Sequence, residues 1–130
     1  MEAKKKVLVI DDENDILLII KSALHEEGYD VATANNGYDG LALAEDASPD
    51  LIILDIMMPE MDGFEVLQQL KENEKTAQIP VVILTGLSSK DKIREALNKG
   101  IDYYIVKPFE YQDLVSKVKI AIDDAERPPS

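Results

Sequence analysis

The 130-residue sequence contains no cysteine and no tryptophan, and only 5% of its residues are aromatic. Without cysteine the chain can form neither a disulfide bond nor a thiolate metal site, which suits a reducing compartment. The sequence also has no apolar run long enough to cross a bilayer and no signal-peptide pattern at its start. We therefore expect a cytoplasmic protein that makes no membrane contact.

Basic residues are scarce as well. Lysine and arginine together number 14 against 26 aspartates and glutamates, so the formal net charge is −12. This charge would repel a phosphate backbone, and the short basic run Lys4-Lys5-Lys6 cannot reverse it. The charge balance therefore predicts no direct contact with nucleic acid. The excess acid indicates either a solvated surface or a set of carboxylates that converge on a cation.

The length and the 45% content of hydrophobic residues predict one globular domain. Five short aliphatic runs alternate with segments whose apolar residues recur at helical spacing. The predicted strands cover residues 7–10, 30–34, 51–54, 81–85 and 101–106. The first and third runs contain no polar residue, which is typical of strands covered on both faces. The alternation predicts a doubly wound α/β fold, in which helices cover both faces of a parallel sheet.

Helix boundaries and buried faces follow from glycines, capping residues and apolar spacing. Gly28 and Gly100 are expected to end the first and fourth helices. The segment 88–91 is expected to begin the fourth helix, and Asp62-Gly63 to form the turn before the third. The residues predicted to face the core are Ile16, Ile19, Ile20, Ala23 and Leu24 in the first helix, Phe64, Leu67 and Leu70 in the third, and Ile93, Ala96 and Leu97 in the fourth.

Polar residues stand at the carboxyl ends of four predicted strands. Asp11 and Asp12 follow the first strand, Asp55 the third, Thr85 ends the fourth and Lys107 follows the fifth. Parallel strands bring their carboxyl ends to one edge, so these side chains are expected to share a crevice. Three carboxylates repel one another unless a cation neutralises them, and oxygen ligands favour a hard metal, Mg²⁺ or Mn²⁺. Lys107 and Thr85 add a positive charge and a donor suited to phosphoryl oxygens.

Each of these residues has an ordinary structural explanation when it is considered alone. Asp55 serves equally well as a turn cap, Asp11-Asp12 as a helix cap, and a threonine at a strand end is commonplace. The functional interpretation depends on the whole set appearing at the corresponding ends of different strands.

On these residues the chain resembles the response-regulator receiver domains, the phosphoacceptor modules of two-component signalling. The resemblance covers roughly residues 5–124. It implies a flavodoxin-like fold with five helices and the strand order 2-1-3-4-5, which the chemotaxis receiver exemplifies. The implied domain organisation is a receiver over residues 1–125, followed by a tail or the start of a linker at residues 126–130.

The resemblance also implies a role for each site residue. Asp55 matches the aspartate that takes the phosphoryl group from a phosphohistidine. Asp12 matches the direct Mg²⁺ ligand, Asp11 the acid that reaches the metal mainly through water, and the backbone carbonyl of Met57 the third protein ligand.

Further positions match the family's switch. Thr85 resembles the hydroxyl that turns toward the phosphoryl group, Lys107 its ion-pair partner, and Tyr104 the aromatic residue that moves with the threonine. The Lys107–Pro108 peptide bond matches one that is usually cis in this family. Phosphorylation is thus expected to switch the surface formed by the fourth helix, fifth strand and fifth helix.

Partners follow from the same resemblance. A sensor histidine kinase or a histidine phosphotransfer domain is expected to dock near the first helix and the loop after Pro108. A downstream protein or output domain is expected to read the switched surface, and a phosphorylation-dependent homodimer is one further outcome. Tyr103 stands where many DNA-binding members carry a second acid after Asp102, which weakens the expectation of their usual dimer.

The chain is not expected to be a multiple-turnover enzyme. Met57 and Leu87 match positions whose side chains tune hydrolysis of the acyl phosphate, and neither holds a water well, so slow loss of phosphate is predicted. A phosphohydrolase of the haloacid dehalogenase type would need a second acid where Met57 stands. A flavodoxin-like flavin module would need a loop rich in serine, threonine and glycine in place of residues 11–13.

Overall fold

The computed structural model describes residues 4–86, 90–101 and 103–127. Strands and helices alternate along the chain. They are β1 (Lys6–Ile10), α1 (Asn14–Glu26), β2 (Asp30–Ala34), α2 (Gly37–Ala47), β3 (Leu51–Asp55), α3 (Gly63–Glu72), β4 (Val81–Gly86), α4 (Lys90–Asn98), β5 (Tyr103–Lys107) and α5 (Tyr111–Glu126). Among the described helices none combines the length and apolarity needed to span a membrane.

The five strands form one parallel sheet in the order β2-β1-β3-β4-β5, which confirms the doubly wound architecture. β3 lies at the centre and is buried along its whole length. In the register of the sheet, Ile10 of β1 pairs with Leu54 of β3, and Asp55 pairs with Leu84 of β4. The carboxyl ends of these strands therefore meet at one edge, as the alternating pattern predicted.

Two apolar cores lie on opposite faces of the sheet because successive side chains of a strand point to opposite sides. Leu8 and Ile52 face the core covered by α2, α3 and α4. Val7 and Ile53 face the core covered by α1 and α5. This arrangement explains why β1 and β3 contain no alternation of polar and apolar residues: both of their faces are covered.

Glycines and a capping aspartate set the helix boundaries where they were predicted. Gly28 and Gly100 have φ angles of +94° and +89°, and their amides donate to His25 and Leu97 carbonyls at the ends of α1 and α4. The Asp62 carboxylate accepts a hydrogen bond of 3.0 Å from the Glu65 amide at the start of α3. The Lys107–Pro108 peptide bond is cis, as the resemblance implied.

Two predicted core positions are wrong. Ile19 is exposed, while Leu17 is buried together with Ile20 and Leu24. Residues 17, 20 and 24 share one face of α1 at spacings of three and four, and position 19 lies outside that stripe. Leu97 of α4 is also exposed, because α4 turns only Ala96 fully into the core.

The fifth strand begins later than predicted, at Tyr103 instead of Ile101. Ile101 is buried, but its amide donates to the Ala96 carbonyl and so closes the end of α4 instead of joining the sheet. Ser88 and Ser89 of the predicted α4 start, together with Leu87 and Asp102, lie outside the described residues.

Candidate functional site

The sheet register brings the predicted acids to one edge. Asp11 directly follows β1, and its amide donates to the Ala34 carbonyl at 3.1 Å, which continues the pairing with β2. Asp55 is the last residue of β3 and is only 3% exposed. Its Oδ1 accepts a hydrogen bond of 3.2 Å from the Met57 amide. Asp12, by contrast, is exposed at the rim.

Asp11, Asp12 and Asp55 can act together on a cation. One carboxylate oxygen from each lies within 4.8 Å of the other two. Asp11 and Asp55 are buried and Asp12 is exposed, so the cluster is open to solvent on one side. Carboxylate oxygens that leave room for water are the ligand set that Mg²⁺ prefers. The donor chemistry therefore fits a hard divalent cation, in agreement with the sequence.

Lys107, the last residue of β5, supplies positive charge to the same edge. Its Nζ lies 2.7 Å from Asp11 Oδ2 and 3.4 Å from Asp55 Oδ2. It also lies 3.5 Å from Glu13 Oε1. One ammonium group is thus shared among three carboxylates, and Asp12 adds a fourth acid nearby, so the site remains net negative.

Burial and like charge make ionisation of this site costly. Burial, and after it the negative charge of Asp11, raise the pKa of Asp55 from 3.8, while Lys107 and the Met57 amide lower it, and the net result is a pKa of about 7. Burial also raises the pKa of Asp11, although Lys107 counteracts it. For Lys107 burial lowers the pKa, but Asp11, Asp55 and Glu13 together outweigh burial and raise it. Lys107 is therefore charged at neutral pH, and any additional cation would stabilise the ionised forms of the acids.

Thr85 carries a buried hydroxyl that has no hydrogen-bond partner among the described residues. It lies near the end of β4, where it pairs in register with Val106, the residue before Lys107. An unpartnered buried hydroxyl costs about 1–3 kcal/mol. An incoming ligand oxygen at this edge would remove that cost by accepting its hydrogen bond.

Tyr104 and Met57, two further predicted site residues, have surroundings that differ from those of the acids. Tyr104 is half-buried on β5, pairs in register with Ile83, and packs against the core beneath α2, α3 and α4. The structure does not bring it into the acidic cluster. The Met57 side chain is exposed, although its amide is bonded to Asp55.

Two contributors were not predicted. The Glu13 amide donates to Asp11 Oδ1 at 2.8 Å, and the Glu13 carboxylate approaches Lys107. The signal for Glu13 was the unbroken run of three acids after the first strand. Gly63 allows α3 to start against β3: its amide donates to the Ile56 carbonyl at 2.8 Å, and a Cβ there would lie 2.4 Å from the Asp55 carbonyl oxygen.

Comparisons with known proteins agree with this geometry. The family model of the response regulator receiver domain matches residues 7–119. The chain is 41% identical over 125 residues to the DNA-binding dual master transcriptional regulator RpaA of Synechocystis sp., and the match covers 95% of this chain and 52% of RpaA. It is 39% identical over 123 residues to the alkaline phosphatase synthesis transcriptional regulatory protein PhoP of Bacillus subtilis, covering 94% and 50%. The chain thus spans about half the length of these curated relatives.

Solved structures give the same result for the fold. The chemotaxis protein CheY4 of Vibrio cholerae superposes with a TM-score of 0.85 at 34% identity, covering 92% of this chain and 99% of that one. The receiver domain of the Francisella response regulator 1452 gives a TM-score of 0.85 at 35% identity, covering 95% and 100%.

Proposed function

The chain belongs to the response regulator receiver domain family, the phosphoacceptors of two-component signalling, and on that premise we propose that Asp55 is the residue that accepts the phosphoryl group. The observation that supports Asp55 is its place in the site. It is a buried carboxylate within 4.8 Å of two further aspartates and 3.4 Å from the Lys107 ammonium.

Asp11, Asp12 and Asp55, together with the backbone carbonyl of Met57, would hold Mg²⁺, with Mn²⁺ as the alternative. When bound, the metal supplies positive charge that neutralises phosphoryl oxygens and orients the group for transfer. A carboxylate oxygen of Asp55 attacks the phosphorus of a phosphohistidine. The new bond joins this oxygen to phosphorus, the phosphorus–nitrogen bond breaks, and the electron pair leaves with the imidazole.

Lys107 and Thr85 would respond to the new charge. A phosphoryl group adds nearly two negative charges at pH 7. Lys107, which lies 2.7 Å from Asp11 before transfer, gains a competing partner on the phosphoryl group. The buried Thr85 hydroxyl gains an acceptor that it lacks among the described residues. Tyr104 would follow Thr85, and the surface of α4, β5 and α5 would shift between two pre-existing arrangements.

The partners are proposed by class. A histidine kinase or a histidine phosphotransfer domain would donate the phosphoryl group, docking near α1 and the loop after Pro108. Relatives about twice as long are named transcriptional regulators, so an output domain or a downstream protein would read the signal. With a net charge of −12, this part of such a protein would not itself contact nucleic acid.

α5 runs through Glu126, so the receiver unit would end there, one residue beyond the predicted boundary.

A phosphorylation-dependent homodimer is one way to use the switched surface. Tyr103, the residue that weakens the expectation of the family's usual dimer, donates its hydroxyl to Asp124 of the same chain. The protein would work in the cytoplasm, where histidine kinases present their phosphohistidine.

The test is mass spectrometry after incubation with acetyl phosphate and Mg²⁺. Wild-type protein is expected to gain one phosphoryl group per chain, located on Asp55, and Asp55→Ala to gain none. Asp46→Ala removes an exposed aspartate of α2 and serves as the matched control, which should behave as wild type. Undiminished labelling of Asp55→Ala would refute the assignment.

The same preparation separates a phosphoacceptor from a multiple-turnover phosphohydrolase. We expect no steady release of phosphate from a small phosphoester, and loss of phosphate from the labelled protein over minutes or longer at neutral pH. Decay within seconds would contradict the slow loss predicted from Met57. Sustained release from the phosphoester, abolished in Asp55→Ala, would favour the enzyme.

A further inference from the structure

The three described methionines differ sharply in their access to solvent. Met57 is 60% exposed, whereas Met58 and Met61 are 8% and 6% exposed. Met57 borders a cleft of about 390 Å³ between the loop after β3 and α4, together with Asp62 and Lys92. Access to solvent governs how fast a thioether meets a dissolved oxidant. Met57 is therefore the exposed one of three neighbouring methionines.

Met57 is also tied to the proposed phosphoacceptor. Its amide donates to Asp55 Oδ1 at 3.2 Å, which fixes its backbone two residues beyond the reacting carboxylate. Asp55 itself is almost fully enclosed, so a water that hydrolyses its acyl phosphate must come from the solvent, to which the Met57 side chain is exposed. A thioether sulfur is only a weak hydrogen-bond acceptor and holds such a water poorly.

We propose that Met57 is a site of reversible oxidation by peroxides, and that its sulfoxide shortens the lifetime of the phosphoryl group on Asp55. This inference rests on the proposed phosphoacceptor function of Asp55. In the reaction, the sulfur lone pair attacks the distal oxygen of a hydroperoxide, the sulfur–oxygen bond forms and the oxygen–oxygen bond breaks. Sulfur loses two electrons, and hydrogen peroxide is reduced to water. A methionine sulfoxide reductase reverses the change.

The sulfoxide differs from the thioether in the property that matters for hydrolysis. Its oxygen is a polar acceptor on a flexible side chain, and it can accept a hydrogen bond from a water near Asp55. That water is held by a group that the reduced protein lacks. Oxidation would therefore couple peroxide concentration to the duration of the signal, without altering Asp55, Lys107 or Thr85.

The first experiment measures selectivity. The full chain is exposed to hydrogen peroxide, and sulfoxide at each methionine is followed by peptide mass spectrometry. Met57 is expected to oxidise about tenfold faster than Met58 or Met61, because only Met57 is exposed. Equal rates at the three positions in the folded protein would overturn the proposal.

The second experiment measures phosphate lifetime. Protein labelled with acetyl phosphate and Mg²⁺ is freed of donor, and loss of phosphate is compared before and after peroxide treatment of the same variant. Wild type is expected to lose phosphate at least about threefold faster once oxidised, since a water held near the acyl phosphate reacts more often than an unbound one. Met61→Leu should keep this response and Met57→Leu should lose it. An unchanged rate in oxidised wild type, or the same acceleration in Met57→Leu, would overturn the proposal.

A third variant removes any dependence on the oxidant. Met57→Gln carries a carbonyl oxygen in place of the thioether, and it is expected to lose phosphate faster than Met57→Leu without peroxide. The outcomes also separate the two proposals. If Asp55 takes up no phosphate, both fall. If Asp55 is labelled but its lifetime ignores oxidation of Met57, only the inference about Met57 falls.

Discussion

Asp55 shows how one residue can carry a large electrostatic cost within a stable fold. Its carboxylate is nearly inaccessible to water, faces the acid Asp11, and shares the ammonium of Lys107 with Asp11 and Glu13. Burial and the neighbouring negative charge raise its pKa to about 7. The same features that make it costly to ionise make it responsive to any cation that arrives.

We expect stability without divalent cations to fall as pH rises from about 4 to about 7 because of Asp55. Over that window the unfolded chain, in which the pKa of Asp55 is 3.8, has lost the proton that the folded chain retains. Asp11, with a pKa raised by burial, acts in the same direction, and Asp12, Glu13 and Lys107 supply the remaining charges that face the group. Denaturant unfolding in EDTA at several pH values gives the measurement.

Asp55→Asn isolates this contribution because it removes the titrating group and keeps the shape. At pH 7.5 in EDTA we expect the variant to be more stable than wild type by roughly 1–3 kcal/mol. The difference should vanish below about pH 4, where Asp55 is protonated in both states. A pH profile that runs parallel for the two proteins would contradict the account of Asp55 as a strained acid.

The convergence of the acids and Lys107 at one edge could be predicted from the sequence because the ends of the strands are recognisable in it. Asp11, Asp55, Thr85 and Lys107 each terminate an aliphatic run, and parallel pairing brings such ends together. Glu13 could not be assigned, because its contact with Lys107 depends on the path of the loop between β1 and α1. Spacing along the chain does not determine that path.

At the scale of elements, the glycines show which helix contacts can adapt. Gly63→Ala places a methyl group 2.4 Å from the Asp55 carbonyl oxygen and 2.6 Å from the Ile56 Cα, and backbone cannot move aside. We expect it to destabilise the fold by about 2 kcal/mol or more, and to weaken Mg²⁺-dependent phosphorylation because the loop beside Asp55 must shift. Denaturant unfolding and labelling by acetyl phosphate test both effects.

Gly40→Ala is the matched control for Gly63→Ala. The added methyl group would meet the Ile10 side chain, with the terminal Cδ1 at 2.5 Å. Ile10→Val removes that carbon, so Gly40→Ala should cost less in the Ile10→Val background than in wild type. Labelling of Asp55 should survive in both. If Gly63→Ala were tolerated as well as Gly40→Ala, the close approach of α3 to β3 would not be limiting.

Element boundaries were predicted well where one local signal acts and poorly where two compete. Gly28 ends α1 because its φ of +94° suits glycine, and no tertiary contact opposes it. Ile101 looked like a strand residue because it is apolar and precedes an aliphatic run. Its amide instead serves the end of α4, and the strand begins at Tyr103. Apolar character predicted burial of Ile101 but not the element to which it belongs.

At the scale of the whole molecule, Mg²⁺ should act on an acidic protein in two separable ways. At about ten times its dissociation constant it should add about 1.4 kcal/mol by binding the folded state. For a domain of this size that gain raises the melting temperature by roughly 3–6 °C. A general screening effect is also expected from the net charge of −12.

Asp12→Asn separates the two effects. Asp12 lies at the exposed rim of the cluster, so its replacement should fold normally and lose most of the Mg²⁺-specific gain. Sodium chloride at matched ionic strength should reproduce only the screening part in both proteins. The assignment of the site fails if Mg²⁺ and sodium chloride raise the melting temperature of wild type equally.

The global fold was predictable because its signal is redundant. Five alternations of strand and helix specify a parallel sheet with helices on both faces, and an error at Ile19 or Leu97 leaves that result intact. The order of the strands came from the family resemblance, since hydrophobic spacing does not state which strand neighbours which.

The limited packing of α4 against the core has a measurable consequence. Of the nine residues in α4, Ala96 alone is buried, whereas α3 buries five of its ten. A helix held by so little apolar contact opens at a lower free energy than its neighbours. Its amide protons should therefore exchange with deuterium well before those of α3. If α4 opens at so low a free energy, the proposed capture of the Thr85 hydroxyl by a phosphoryl oxygen would reposition the helix at little cost.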